Sequence, residues 1–139
     1  MENKKYPKLM VGSFIFNSKN KLFLRTTPNQ GDRYTCINAK VEWGKKIEET
    51  IVDSVLQKTN LKVENFDLIG LTNGLNLKIP NSEEPVHMIF ADYKVYVNNI
   101  DDFKQESDRG YQWLTPEEWL KLDDDKFGPY IKEIIQKLV

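Results

Sequence analysis

The 139-residue sequence predicts an α/β (α+β) protein in which helices pack on a mixed β-sheet. Three observations lead there. Runs rich in β-branched and aromatic residues recur at 9–16, 21–27 and 86–97. Between Lys46 and Thr59 the apolar spacing changes to one residue in four, the period of a helix. A helix-start signal then stands at Thr115. Strands before and after a helix place helices against a sheet rather than in a bundle.

The elements follow in order. "LMVGSFIF" (9–16), the turn residues Asn17, Ser18 and Asn20, and "KLFLRTT" (21–27) form a hairpin signature. "TPNQGDR" (27–33), with Pro28, Asn29 and Gly31, is a loop. Ile47, Ile51, Val55 and Thr59 lie four apart, Val52 and Leu56 widen the stripe, and Asn60 stops the helix. "VENFDLIGLTNGLNL" (63–77) reads as a strand interrupted at Gly70 and Gly74, and "NSEEP" (81–85) as a loop. "VHMIFADYKVYV" (86–97), nearly all apolar at first, belongs at the centre of the sheet. In "YQWLTPEEWLKL", Thr115 caps, Pro116 takes the first helical position and Glu118 closes a capping box. After "DDD" (123–125), a solvated turn, a last helix over 129–138 stacks Ile131, Ile134, Ile135 and Leu138. The expected order is strand, strand, helix, strand, strand, short strand, helix, helix.

Without repeats or linkers, residues 1–139 read as a single domain. With 40% apolar and 29% charged residues the composition is that of a soluble globular protein. A net charge of −1 supplies no global field toward nucleic acid or an anionic membrane, so any anion site must be local. No run reaches the ~18 apolar residues of a membrane span, and the charged start "MENKKYPKL" lacks a signal-peptide core. The single Cys36 forms no internal disulfide, which points to the cytoplasm, and it reads as a small buried hydrophobe.

Residues 34–61, set in this order of elements, resemble the Nudix hydrolase family, nearest its nucleoside triphosphatase and nucleotide pyrophosphohydrolase branch. The family's box runs Gly, five residues, Glu, seven residues, Arg-Glu-aliphatic-any-Glu-Glu-any-Gly-aliphatic. Val41, Glu42, Trp43 and Gly44 match its "VEWGE"-like stretch, Tyr34 its aromatic, and Ile47, Val55 and Leu61 its apolar positions. The likeness extends over roughly 9–122 and implies a Nudix-like α/β/α sandwich with a loop-helix-loop box at about 39–61. The box is nevertheless degenerate. Ile37, Asn38 and Ala39 replace the Pro-Gly-Gly lead-in, and Lys45 the first Glu. Asp53-Ser54 replaces Arg-Glu, Gln57-Lys58 replaces Glu-Glu, and Asn60 the later Gly.

By resemblance, Ser54, Gln57 and Lys58 occupy the positions of glutamates that hold Mg²⁺ or Mn²⁺ against a diphosphate. They are expected on one helix face, turned away from Ile47, Ile51 and Val55. A hard divalent ion requires anionic oxygens, and here an ammonium stands among them, so no metal cofactor is expected. The leading expectation is a binder of a nucleotide or nucleoside-diphosphate derivative with lost or very weak hydrolysis, in effect a pseudoenzyme. Arg25, Arg33, Tyr34, Lys40, Lys45 and Lys58 are its candidate ligand-binding residues, Lys46 joining Lys45 at the helix N-terminus. One alternative is an active Mg²⁺- or Mn²⁺-dependent pyrophosphohydrolase using displaced carboxylates. Glu42 and Asp53 would carry it, with Glu42 and Glu49 as weak metal ligands and Asp108 or Glu106 approaching from the loop before Tyr111. The other is a protein-interaction module that keeps only the fold.

His87, the sole histidine, faces the cleft by resemblance, though a structural role competes. Of the aromatics Tyr34, Trp43, Phe90, Trp113 and Trp119, the first two lie on loops and are the ones placed to stack on a base. The expected partner is a small nucleotide-like molecule, with no membrane and no strong nucleic-acid signal; the resemblance also allows a homodimer.

Overall fold

The structure, a computed structural model, describes residues 5–28, 31–79, 81–98 and 100–139; Asn29 of the expected loop lies outside them. A mixed sheet of seven strands carries the fold: β1 (Lys8–Phe16), β2 (Leu22–Thr27), β3 (Arg33–Thr35), β4 (Ile37–Lys40), β5 (Val63–Leu77), β6 (Val86–Val97) and β7 (Tyr111–Leu114). The order is β3-β2-β1-β6-β5, with β4 added to β1 and β7 to β2. β6 is central as expected, parallel to β1 from Lys8↔Met88 to Phe16↔Tyr96 and antiparallel to β5.

β1 divides its free edge between two partners. Its end pairs with β2 (Ile15↔Phe23, Phe16↔Leu22), while Met10 to Ser13 pair with β4. The sheet forks there, with β2 and its partner β3 on one branch and β4 on the other. β3 and β4 are the strands missing from the expected order. At three and four residues they are too short for a period-2 pattern to emerge. β5, by contrast, runs through Gly70 and Gly74, absorbing the irregularity as register shifts rather than breaks.

Alternation along the strands divides the core into two layers. Val11, Ile15, Phe23, Ile37, Val95 and Val97 bury one face against Ile51 and Val55 of α1 (Ile47–Thr59). Phe14, Phe16, Leu22 and Leu24 bury the other against Trp119 of α2 (Pro116–Trp119) and Ile131, Ile134 and Ile135 of α3 (Ile131–Gln136). α1 ends at Asn60, whose left-handed backbone (φ 60°) accepts no further turn. The Thr115–Glu118 capping box opens α2 as expected, and Trp119 Nε1 anchors that helix by donating to Leu22 O at 2.9 Å. No helix among the described residues is long and apolar enough to cross a membrane.

Candidate functional site

The phase of α1 differs from the expectation. At about 100° per residue, Lys58 comes nearly two full turns after Ile51 and so lies about 20° from it; Ser54 lies about 60° away. Both therefore share the inward face of α1, and Gln57 alone of the three is exposed. Ser54, 6% exposed, donates its hydroxyl to Ile51 O at 3.2 Å. Half-buried Lys58 reaches across to β4, where Nζ donates to Asn38 O at 2.7 Å.

Around this ammonium the fork gathers further charge. Arg25, on β2, is 3% exposed and its Nη1 donates to Glu106 Oε1 at 3.3 Å, while Nε has no partner among the described residues. The loop bearing Glu106 is tied to the end of α1, Glu106 N donating to Lys58 O at 3.2 Å. Arg109 lies on the same loop, its Nε on Thr26 O at 2.7 Å and Nη2 on Thr27 Oγ1 at 3.2 Å. Burial first, then Arg25, pushes Lys58 below the usual lysine range, and the same two causes lower Arg109. Burial also lowers Arg25, against the raising effect of Glu106. Three crowded cations thus face one carboxylate, an arrangement that attracts an anion.

On the opposite face of the sheet, between β5, β6 and α3, lies a cavity of about 1090 Å³. Met88, Phe90 and Asp92, alternating along β6, point into it, and Thr72, Asn38, Tyr130 and Ile134 contribute to its wall. Asp92 is buried near the floor and accepts from Thr72 Oγ1 at 2.6 Å; burial lifts its carboxyl from 3.8 to about 6. Cys36, also on the wall, is held protonated by burial and by Asp92. Asn38 joins the two regions, its carbonyl on Lys58 and its side chain in the cavity.

The expected ligand residues fall into separate groups. Arg25 and Lys58 meet, and Arg33, exposed on β3, lines the cavity mouth. Lys40 is exposed at the end of β4, and Lys45 pairs with Asp53 on the surface (3.2 Å). Tyr34 is not on a loop: it sits on β3, its ring 4.9 Å from Trp119, its hydroxyl accepting from Gln112 Nε2. Trp43 is fully exposed, Trp113 packs on Phe23, and Phe90 is the candidate aromatic that reaches the cavity. His87 does not face the cleft; alternation turns it outward, opposite Met88 and Phe90. Glu106 approaches α1, whereas Asp108 stays exposed. Sequence reasoning missed Arg109, Asn38, Thr72 and Asp92. For Asp92 a signal existed: a carboxylate in the middle of a largely apolar central strand requires a reason.

The donor set on α1 does not fit a divalent metal. Ser54 is committed to its own helix, Lys58 directs an ammonium at Asn38 O, and Arg25 and Arg109 crowd the same place. Glu42, Glu48 and Glu49 are exposed and Asp53 is paired to Lys45. Among the described residues no three His, Cys, Asp or Glu side chains converge.

A forked mixed sheet between α1 and the α2–α3 layer is the Nudix hydrolase fold. No family model matches the sequence. Among solved structures the chain is similar to a MutT Nudix hydrolase from Burkholderia pseudomallei (13% identity, TM-score 0.74, 97% of this chain and 100% of that one). It is similar also to a Nudix-family hydrolase from Clostridium perfringens (14%, TM-score 0.72, 94% and 97%). An Ap4A hydrolase of C. elegans, solved as a binary complex, aligns at 12% identity and TM-score 0.68 over 94% of each chain.

Proposed function

We propose that this protein binds a nucleotide or nucleoside-diphosphate derivative without a metal ion, and that hydrolysis is lost or very slow. The phosphates lie against Lys58 and Arg109, the two half-buried cations of the cluster, with Arg25 buried behind them. One observation carries the reading: Lys58 Nζ sits 2.7 Å from Asn38 O, an ammonium fixed at the seam between α1 and the cavity wall. Each cation within ~4 Å of a phosphate charge contributes about 4 kcal/mol at an effective dielectric near 20, before solvent discount. The same figure opposes a divalent ion. The fold neighbours, hydrolases by name, support a nucleotide-related ligand.

The test is calorimetric titration with nucleoside diphosphates and triphosphates, with and without Mg²⁺, alongside a phosphate-release assay. Metal-independent binding is expected, weakened about tenfold or more by Lys58→Ala through loss of one charge-assisted contact, with no release. Turnover that requires Mg²⁺ or Mn²⁺ in the unaltered protein would sink the proposal.

A further inference from the structure

The cation cluster carries more charge than its surroundings balance. Among the described residues, Arg25, Lys58 and Arg109 face the single carboxylate of Glu106, three positive charges against one negative. Cys36, also within electrostatic reach of Lys58, is held protonated and adds none. Arg25 is 3% exposed, and its buried Nε–H finds no acceptor among the described residues. A buried donor left empty is costly. Lys58 is the one amine of the three. It is half-buried rather than sealed, and its Nζ is anchored by donating to Asn38 O at 2.7 Å. One loop ties these groups together: Glu106 N donates to Lys58 O at 3.2 Å, and Glu106 Oε1 accepts from Arg25 Nη1 at 3.3 Å. An anchored amine, an unfilled buried donor and surplus positive charge thus share one seam.

We infer that Lys58 is a carbamylation site, at which Nζ takes up CO2 as a reversible carbamate balanced by Arg25 and Arg109. The step needs no redox partner. The lone pair of the neutral amine attacks the carbon of CO2, and a C–N bond forms as one C=O electron pair moves onto oxygen. The nitrogen then releases a proton to solvent. The product keeps one N–H, which preserves the bond to Asn38 O, and it adds two acceptor oxygens beside cations that lack them. Two guanidiniums then face two carboxylates, and the surplus charge of the cluster disappears.

The setting favours the reacting form of the amine. Burial first, then Arg25, lowers Lys58, and Arg109 adds to this against Glu106 and Cys36. More of Lys58 is therefore neutral near physiological pH than of a free lysine, whereas the guanidiniums stay charged. CO2 is small and uncharged, so it enters a half-open seam without a charge to desolvate. Exposed Lys40 and Lys62, by contrast, would leave a carbamate in water without buried donors. The inference takes one consequence from the proposed function: the carbamate puts an anion where a phosphate would meet a cation, so CO2 should weaken diphosphate binding.

The experiment equilibrates the full chain with CO2 and isotopically labelled bicarbonate, follows the adduct by carbon NMR, then alkylates it with a trialkyloxonium salt. Mass spectrometry maps which lysines carry the trapped ester. Lys58 is expected to carry several-fold more label than Lys40 or Lys62, and removal of CO2 should erase the NMR signal. Lys58→Arg keeps the charge and removes the reactive amine, so the signal should be lost. Label at Lys58 no greater than at the exposed lysines overturns the inference; this is read on the unaltered protein, so misfolding of the variant would not shelter it. A second arm is calorimetric titration with ADP at constant ionic strength, bicarbonate being replaced by chloride in the control. ADP affinity should fall several-fold with CO2 in the parent and stay constant in Lys58→Arg. An adduct at Lys58 in a protein that binds no ADP in either buffer would keep the carbamate and refute the phosphate site. Bicarbonate that weakens ADP binding equally in both proteins, with no adduct at Lys58, acts as a competing anion; that outcome would keep the phosphate site and refute the carbamate.

Discussion

Asp92 is held where its charge is unwelcome. Its folded carboxyl titrates at about 6 instead of 3.8, so the fold favours the protonated form. The stability this contributes is complete below about 3.8, declines as pH rises through about 6, and is absent above that. A shift of that size corresponds to roughly 2–3 kcal/mol. Asp92→Asn keeps an acceptor for Thr72 but cannot ionise. It is therefore expected to raise stability at pH ~7.5 by roughly 1–3 kcal/mol and to change it little near pH ~4. Urea unfolding midpoints at the two pH values check this; a variant destabilised at pH ~7.5 would contradict it. Stability gained by removing a side chain would mark that side chain as kept for another purpose, as with other strained functional groups. Lys58 belongs to the same class, lowered by burial and by Arg25 and yet retained.

At the scale of elements, the long ones were legible and the short ones were not. Nine residues of β1, twelve of β6 and thirteen of α1 give a period time to repeat, and the capping box over Thr115–Glu118 carries its own chemistry. β4 exists because β1 leaves half an edge open, and β3 because the end of β2 runs on past β1, tertiary causes that no local pattern records. The site was half legible for a related reason. The sequence placed Arg25 and Lys58 in one region, but Arg109 and Glu106 reach them only through the loop folded back on the end of α1. The inward phase of Ser54 and Lys58 bears on the natural repair experiment, Ser54→Glu with Gln57→Glu and Lys58→Glu. Glutamate at 54 enters a buried position, and at 58 it faces the Asn38 carbonyl. Without a cation the triple variant should lose several kcal/mol, since unpaired buried charge is costly. With Mg²⁺ or Mn²⁺ it should recover in part, by mass action on a site that the unfolded chain lacks. Thermal melts of both proteins with and without the metal decide it: a metal-dependent shift in the variant and none in the parent is expected. An equal shift in both would place a metal site elsewhere.

Over the whole molecule, twenty basic and twenty-one acidic side chains nearly cancel, so the proposed anion site would act as a local field inside a neutral envelope. The cation cluster and the cavity lie on opposite faces of the sheet and touch at Asn38, whose carbonyl serves Lys58 and whose side chain faces the cavity. A phosphate held by the cluster and an uncharged nucleoside respond differently to salt. Screening acts on charges near solvent, over a Debye length of about 10 Å at 0.1 M salt and less above it. Half-buried Lys58 and Arg109 are exposed enough to feel it, whereas an uncharged nucleoside has no phosphate for it to act on. Diphosphate affinity should therefore fall several-fold between ~50 and ~300 mM NaCl while nucleoside affinity stays constant. Lys58→Ala should flatten the diphosphate slope. Titrations at four or five salt concentrations separate these outcomes. A nucleoside slope equal to that of its diphosphate would mean that the phosphates do not lie against this cluster, and the proposed anion site would have to be abandoned.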